Sequence, residues 1–258
     1  MVKIMFKSKR HDKILKLVSE KGGVSVKELC EHFGTSVVTI RSDLNELQTQ
    51  GKIVRSHGGA LAVENGSTIK PFATRKMINA RKKKQIASAA ANLIQDAEVV
   101  FIDGGTTAAE ISKFITGKHS ITVVTPSVEI AYTLAMNTNY GIYLLNGFLL
   151  RSSLSTIGVP DEKSLAKWNI AKAFVGAAGI TLEDGLTDLH LGFVEQKRAI
   201  CKKARSVIGV IDSTKWGIVS LASFAEVGDI DVVITDKDAP QNMIAALEEN
   251  NTEVIIGG

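Results

Sequence analysis

Three amphipathic helices are predicted in the first 50 residues, because apolar positions recur there at intervals of three and four. The first helix ends at Gly22-Gly23. The second is capped by Ser25 and ends at Gly34. The third runs from about Ser36 to Gln50, with Thr35 or Ser36 as its cap. Its predicted buried stripe consists of Val37, Ile40, Leu44 and Leu47.

The next segment, IVRSHGGALAV, predicts two short strands around His57-Gly58-Gly59. The order helix, helix, tight turn, helix, hairpin is that of a winged helix-turn-helix, which we place at residues 1–62. Residues 63–95 are predicted to form a polar linker and a connecting helix, Pro71–Gln95. The run Arg81-Lys82-Lys83-Lys84 on that helix is interpreted as a solvated face.

From Glu98 the pattern changes to short, β-branched apolar segments that alternate with helical ones. The predicted strands include VVFID, SITVVT, YGIYLLNG, KAFVGAAGI, SVIGVID, DVVITD and EVIIGG. Strands buried on both faces and separated by helices are typical of a parallel sheet. Residues 96–258 are therefore predicted to form an α/β domain with a largely parallel sheet.

Charge is unevenly distributed along the chain. Residues 1–90 hold 18 Lys and Arg against 7 Asp and Glu, a net charge of +11, whereas residues 91–258 hold 13 against 20, a net charge of −7. A basic N-terminal third favours a polyanionic partner for that part of the chain.

Several protein classes are disfavoured by composition. No apolar run approaches the roughly 20 residues that span a bilayer, and the N-terminus has no apolar core of a secretory signal. Cys30 and Cys201 are expected to be reduced core residues, and the five histidines are scattered. We therefore expect a cytoplasmic protein with no membrane partner, no metal and no cofactor.

The third helix is the candidate DNA-reading element. With its apolar stripe buried, it exposes short hydroxyls, a methyl source, a guanidinium and an amide, which suit base edges and phosphates in a major groove. Basic residues of the hairpin can hold the backbone or enter a minor groove. The predicted residues for double-stranded operator DNA are Thr35, Ser36, Val38, Thr39, Arg41, Ser42, Asn45, Lys52, Arg55 and His57.

Asp43 lies on the same helix, where a carboxylate facing DNA would repel phosphate. Two interpretations remain open from the sequence. Asp43 either faces Arg41 or Arg55 and orders one of them, or it lies away from the groove.

Three loops of the second domain carry polar groups at predicted strand ends. FIDGGTT offers two glycines, two hydroxyls and the N-terminus of a helix, which together suit an anion, although a simple turn has the same composition. Asp212-Ser213-Thr214-Lys215 and Thr125-Pro126-Ser127 follow other strands. Because such loops meet at one edge of a parallel sheet, a shared ligand pocket is favoured.

The chain resembles the DeoR family of bacterial transcriptional repressors over nearly its whole length. The resemblance rests on SVVTIRSDLNEL with IVRSHGGAL, and on FIDGGTT, VGAAGI, GLTD and DSTKWG in the second domain. It implies a sensor domain similar to ribose-5-phosphate isomerase that binds a phosphorylated sugar. The helix with Glu195 and Lys197 is expected nearby. The expected effector-binding residues are Asp103, Gly104, Gly105, Thr106, Thr107, Thr125, Asp184 and Lys215.

The chain departs from the family pattern at two positions. Pro126 stands where Asn is frequent, and Ala178 stands where many members have Asp or Ser. Ala178 removes one polar contact, for which His190 is a candidate replacement.

The resemblance implies a repressor that leaves its operator when a sugar phosphate binds. A homo-oligomer, dimer or tetramer, is expected because one winged helix buries too little DNA for operator-level affinity. The connecting helix is the hypothesised moving element. The alternative is a sugar-phosphate isomerase or deaminase fused to a DNA-binding domain. Catalysis is disfavoured because Ala177-Ala178-Gly179 occupies the place of paired carboxylates, although Asp184 and Asp188 follow.

Overall fold

The computed structural model describes residues 7–21, 23–49, 53–56, 59–62, 71–158, 165 and 167–258. The chain divides into two compact units, Met1–Thr74 and Arg75–Gly258. No helix in the described ranges is both long enough and apolar enough to cross a membrane.

The first unit is a winged helix-turn-helix, as predicted. Its strands form a three-stranded antiparallel sheet in the order β1-β3-β2. Strand β1 was not predicted, because three residues with a single apolar side chain carry no periodicity. In chain order the elements are α1 (Lys7–Lys21), β1 (Gly23–Ser25), α2 (Val26–Phe33), α3 (Val37–Thr49), β2 (Ile53–Ser56) and β3 (Gly59–Ala62).

Local sequence fixes the ends of α2. Ser25 caps it in a capping box: the Ser25 hydroxyl accepts the N–H of Glu28 at 3.1 Å, and the Glu28 carboxylate accepts the N–H of Ser25 at 2.8 Å. Gly34 ends the helix in the left-handed conformation, with φ of 60°. Both ends confirm the prediction.

The first unit is held by one apolar core. The predicted stripe of α3 contributes three members to that core, but Val37 is 46% exposed, and its predicted burial was wrong. Val37 is the first residue of α3 and lies one turn before the helix reaches the core. The core consists of Ile14, Val18, Val24, Val26, Leu29, Ile40, Leu44, Leu47, Ile53 and Ala60.

The predicted connecting helix is broken into two. Helix α4 covers Phe72–Met77 and α5 covers Ala80–Asn92. Between them Asn79 adopts the left-handed conformation, with φ of 54°, which Asn tolerates better than most residues. The predicted linker at residues 63–70 lies outside the described residues.

The second unit alternates strands and helices, which confirms the predicted α/β class. It begins with the C-terminal half of α4 and with α5. The remaining elements are β4 (Val99–Ile102), α6 (Thr106–Ile111), β5 (Thr122–Thr125), α7 (Val128–Asn137), β6 (Gly141–Leu144), β7 (Phe148–Leu150), β8 (Ser155–Ile157), β9 (Lys172–Val175), β10 (Gly179–Thr181), β11 (Gly185–Asp188), α8 (Leu191–Lys203), β12 (Ser206–Val210), β13 (Ala222–Ala225), β14 (Val232–Asp236), α9 (Gln241–Glu249) and β15 (Glu253–Gly257).

Seven strands form one parallel sheet in the order β15-β14-β12-β9-β4-β5-β6. The strands after β4 extend the sheet in one direction through β5 and β6, and later strands extend it in the other direction from β9. The order therefore reverses between β4 and β9. In open α/β sheets the carboxyl ends of the strands at such a reversal form the ligand crevice.

Two smaller sheets accompany the parallel one. Strands β7 and β8 form a hairpin, and β10, β11 and β13 form an antiparallel sheet. The segment KAFVGAAGI, predicted as one strand, is divided at Gly176 between β9 and β10 of different sheets. Cys201 is buried and Cys30 is half-buried; neither forms a disulfide.

Candidate functional site

The N-terminal half of α3 presents a polar face. Ser36, Val38 and Arg41 are exposed on it, and Val38 reaches 77% exposure although it is apolar. An exposed valine among hydroxyls is what a helix that contacts thymine methyl groups requires. The other predicted members are Ser42 and Asn45, which are exposed, and Thr35 and Thr39, which are half-buried.

Ser36 caps α3, so two of the predicted hydroxyls already take part in hydrogen bonds within the helix. Its Oγ accepts the N–H of Thr39 at 3.2 Å and lies 2.9 Å from the Thr39 hydroxyl. Two of the predicted wing residues, Lys52 and His57, lie outside the described residues. Arg55 lies on β2, but its side chain is also outside the described part.

Asp43 points into the interior of the first unit, where it is fully buried. Arg10 donates to it through Nε and, at 3.1 Å, through Nη2, and His11 Nε2 lies 3.1 Å from the same carboxylate. Burial by itself would raise the pKa of Asp43, but hydrogen bonds from Arg10 and His11 outweigh it and lower the pKa. Asp43 therefore joins α1 to α3 and fixes the angle at which α3 presents its exposed face.

The reversal between β4 and β9 is bordered by charged residues. Asp103 directly follows β4, and its N–H donates to Phe174 O of β9 at 3.0 Å. The Asp103 carboxylate accepts the N–H of Gly176, directly after β9, at 3.1 Å. Thus the first predicted effector residue lies at the position where the topology favours a ligand.

A buried lysine on α8 neutralises this corner. Lys197 Nζ lies 2.9 Å from Asp103 and 2.6 Å from Asp188, and it donates to Gly176 O at 2.7 Å. Its ammonium also lies 5.0 Å from the centre of the Phe224 ring. Burial alone would lower the pKa of Lys197, but the two carboxylates outweigh it and raise the pKa. We call Asp103, Lys197 and Asp188 the buried triad.

The two glycines after Asp103 differ in what they do. A Cβ at Gly104 would lie 2.1 Å from the Ser155 hydroxyl, so glycine there allows close packing against Ser155. A Cβ at Gly105 would meet only ordinary contacts, the nearest 3.5 Å away at the Asp103 carboxylate. The open side of the loop is therefore at Gly105.

Thr106 and Thr107 begin α6, which has only six residues, so its dipole contributes little. Among the described residues neither threonine hydroxyl has a hydrogen-bond partner. Both oxygens are available to an anionic or hydroxylated ligand.

A second group follows β12, two strands from β4 and therefore roughly 10 Å away at the usual spacing of neighbouring strands. Asp212 accepts the N–H of Thr214 at 3.0 Å and the Asn79 amide at 3.3 Å, and Lys215 closes this short turn. Within the described ranges no carboxylate forms an ion pair with the Lys215 ammonium.

Three cations that were not predicted as site residues interact electrostatically with Asp103, Asp188 or Asp212. Lys83 is buried and donates to the Arg75 carbonyl. Burial lowers the pKa of Lys83 to about 8; Asp212 opposes the shift, and the positive charges of Lys215 and Arg75 add to it. Burial likewise lowers the pKa of Arg75 against Asp188 and Asp103. Lys197 was anticipated only as part of a helix near the site.

Helix α5 is therefore built into the second unit. Lys82 donates to Ser213 at 2.6 Å and forms ion pairs with Asp236 and Asp238, both at 2.9 Å. The interpretation of the basic run as a solvated face holds for Arg81 and Lys84 only. The prediction of a single helix over Pro71–Gln95 is wrong, because the segment is broken at Asn79; that this segment moves stays a hypothesis.

Three further predicted or candidate residues are engaged by neighbouring groups or border a second cleft. Thr125 is fully buried, and its hydroxyl accepts the N–H of Ser127 at 3.1 Å. Asp184 precedes β11, about 13 Å along the strand from Asp188, and borders a separate cleft of about 350 Å³ with Glu183 and Glu226, where an anion would be repelled. His190 caps α8, its Nδ1 accepting the N–H of Gly192 at 3.1 Å.

In the part of the chain that the structure describes, no three His, Cys, Asp or Glu side chains are grouped so as to hold a metal ion.

Two family models match the chain. The DeoR-like helix-turn-helix domain matches residues 10–65, and the DeoR C terminal sensor domain matches residues 78–237.

Curated relatives match along almost their whole length. The HTH-type transcriptional regulator GolR of Listeria innocua is 31% identical, over 90% of this chain and 91% of the relative. The glycerol-3-phosphate regulon repressor of Escherichia coli is 31% identical, over 97% and 99%. The HTH-type transcriptional regulator IolR of Bacillus subtilis is 33% identical, over 84% and 86%. All three are named as regulators, which does not favour the alternative of an isomerase or deaminase.

Solved structures match only part of the chain. The ribose 5-phosphate isomerase A of Methanocaldococcus jannaschii is 18% identical with a TM-score of 0.38, over 54% of this chain and 55% of that chain. The eIF2B beta of Chaetomium thermophilum is 16% identical with a TM-score of 0.45, over 60% and 48%.

Proposed function

This chain belongs to the DeoR family of transcriptional regulators, and from that membership we propose that it represses a sugar-metabolism operon and leaves its operator when a phosphorylated sugar binds. It is a DNA-binding regulator and not an enzyme. We expect it to bind its operator DNA in the cytoplasm, the location that the sequence predicts.

The exposed face of α3 supports the DNA half of the proposal. Arg41 offers a fork that matches guanine, Asn45 offers an amide that matches adenine, and Val38 offers methyl groups for thymine. These side chains lie on one exposed surface because Ile40, Leu44 and Asp43 turn the opposite side of α3 into the core.

The effector half rests on one observation: polar groups without side-chain partners follow β4 and β12, the two strands that flank β9. The hydroxyls of Thr106 and Thr107 and the ammonium of Lys215 have no side-chain partner among the described residues, beside a loop that is open at Gly105. A dianionic phosphate with adjacent hydroxyl groups pairs with such donors. The name of one relative, a glycerol-3-phosphate regulon repressor, agrees with a small phosphorylated polyol or sugar.

The buried triad gives the ligand a way to act on the fold. Because Asp103 and Lys197 hold both backbone groups of Gly176, a ligand on the loop after Asp103 would shift the junction of β4, β9 and β10. It changes DNA affinity only to the extent that it binds one arrangement more tightly than the other.

Arg41→Ala is expected to cost about 1–3 kcal/mol of discrimination between the operator and unrelated DNA. Fluorescence anisotropy on both DNAs at several salt concentrations measures it. Arg41→Lys is the matched control, because it keeps the charge and loses the bidentate fork. If Arg41→Lys discriminated as well as the wild type, Arg41 would contact phosphate rather than a base.

Thr107→Val and Lys215→Met are each expected to weaken the effector by about 1.5–3 kcal/mol, the net value of a hydrogen bond to a charged group, while DNA affinity without effector stays unchanged. The measurement is anisotropy of operator DNA titrated with phosphorylated sugars and with their unphosphorylated counterparts. Lys237→Met, an exposed lysine at the same sheet edge, is the control. Equal potency of the phosphorylated and free sugars would contradict a phosphate site, and loss of DNA binding in Lys215→Met would contradict the role of Lys215.

A further inference from the structure

The end of the parallel sheet formed by β6 carries exposed apolar side chains that are not part of the proposed effector site. Strand β6 is the last strand of the sheet, with β7 and β8 next in sequence and α7 packed alongside. We define the β6 face by its eight exposed apolar side chains: Val128, Tyr132, Met136, Tyr143, Leu144, Phe148, Leu149 and Leu154.

These side chains lie on adjoining elements around the β6 end of the sheet. Val128, Tyr132 and Met136 recur every four residues and line one side of α7. The hairpin is joined to the start of α7, because the N–H of Val128 donates to Leu154 O at 3.0 Å. Phe148 is 75% exposed and Tyr132 67% exposed, values unusual for aromatic residues of a folded domain.

The eight side chains of this face are uncharged, and Glu129 and Arg151 flank a central stretch of sequence that has no charge. No Asp, Glu, Lys, Arg or His occurs in the 20 residues from Ala131 to Leu150, in a chain in which charged residues make up 22%. A solvated surface is not expected to lose its charges over so long a stretch, whereas the buried centre of an interface is depleted of charge and enriched in Tyr, Phe and Met.

The area of the β6 face suits a stable partner. At roughly 150–250 Å² for a fully exposed large side chain, the eight residues expose on the order of 800 Å². Each partner of a standard-size interface contributes about 800 Å², which equals the total that these side chains expose around the sheet edge.

We propose that the β6 face is the surface through which two copies of this chain associate. A second copy fits because an uncharged surface meets its own copy across a two-fold axis without like-charge repulsion. Nucleic acid is disfavoured, because none of the eight side chains that define the face carries a positive charge. Two associated copies supply two α3 helices, as a two-fold operator requires.

The test is the molar mass of the full chain without DNA or effector, measured by light scattering on a sizing column at several concentrations. The wild type is expected to be a dimer or a larger even oligomer, and Tyr132→Glu with Phe148→Glu is expected to reduce its mass at least twofold. Leu221→Glu, which replaces an equally accessible leucine at 62% exposure outside the face, is expected to keep the wild-type mass.

Three results would overturn the proposal: a monomeric wild type, an unchanged mass in the double variant, or dissociation by Leu221→Glu alone. Should the double variant fail to fold, hydrogen exchange of the wild type decides. Amides of Gly141–Leu144 are expected to exchange more slowly at high protein concentration than at low concentration, and no change with concentration would refute the interface. Neither measurement involves DNA or effector, so the proposed function stands or fails separately.

Discussion

Replacing Lys197 by methionine is expected to destabilise the second unit by about 3–5 kcal/mol, because it removes one partner of a buried ionic group and leaves the others unpaired. Asp103 and Asp188 would then face each other without a cation, and Gly176 O would lose its donor. The methylene stem of Met fills most of the space of the lysine, so the loss is electrostatic rather than a cavity. The effector response should disappear with it, since the β4–β9 junction is no longer fixed.

Urea denaturation followed by tryptophan fluorescence measures this loss cleanly. Both tryptophans of the chain, Trp168 and Trp216, lie in the second unit, and Trp216 is buried there. Lys202→Met on the exposed side of α8 is the matched control and should change stability by less than about 0.5 kcal/mol. Adding Asp188→Asn to Lys197→Met should restore part of the loss, because one of the two uncompensated charges is removed. If Lys197→Met alone cost no more than Lys202→Met, the triad would not be an electrostatic unit.

The buried triad could not be predicted as a unit, because Asp103 lies far from Asp188 and Lys197 in the sequence. Asp103 was expected as a site residue because FIDGGTT resembles a loop of the DeoR family, and such a motif covers only a few neighbouring positions. Lys197 and Asp188 lie 94 and 85 positions further along the chain, and nothing local distinguishes Lys197 from other helical lysines. Their meeting point depends on the strand order, which periodicity does not supply.

The two wrong predictions at Val37 and Asn79 also come from features that local spacing does not determine. The apolar stripe of α3 was predicted correctly at Ile40, Leu44 and Leu47, because helical spacing alone determines it. Val37 has the right spacing, but whether the first turn of a helix reaches the core depends on the elements packed against it. Asn79 breaks a segment whose composition is helical throughout, and the cause is a single left-handed residue that many sequences tolerate without a break.

Replacement of Asp43 is expected to have the second-largest effect on stability. Asp43→Ala is expected to destabilise the first unit by about 3 kcal/mol, because Arg10 and His11 lose a fully buried carboxylate. Far-UV circular dichroism during urea denaturation measures the loss, while tryptophan fluorescence, which reports only on the second unit, should not change. Glu46→Ala on the same helix removes an exposed ion pair with Lys7 and should cost less than about 1 kcal/mol.

The pH dependence separates the charge of Asp43 from its packing. The folded pKa of Asp43 lies below its ordinary value, so its ion pairs stabilise the first unit at pH values above about 4, the unfolded pKa. That stability is lost as the pH falls through the lowered folded pKa, because protonation removes the charge that Arg10 requires. Asp43→Asn, which keeps the shape, should lose the same stability at neutral pH and should show a weaker dependence on acid. An Asn variant as stable as the wild type at pH 7 would mean that shape, not charge, holds α1 against α3.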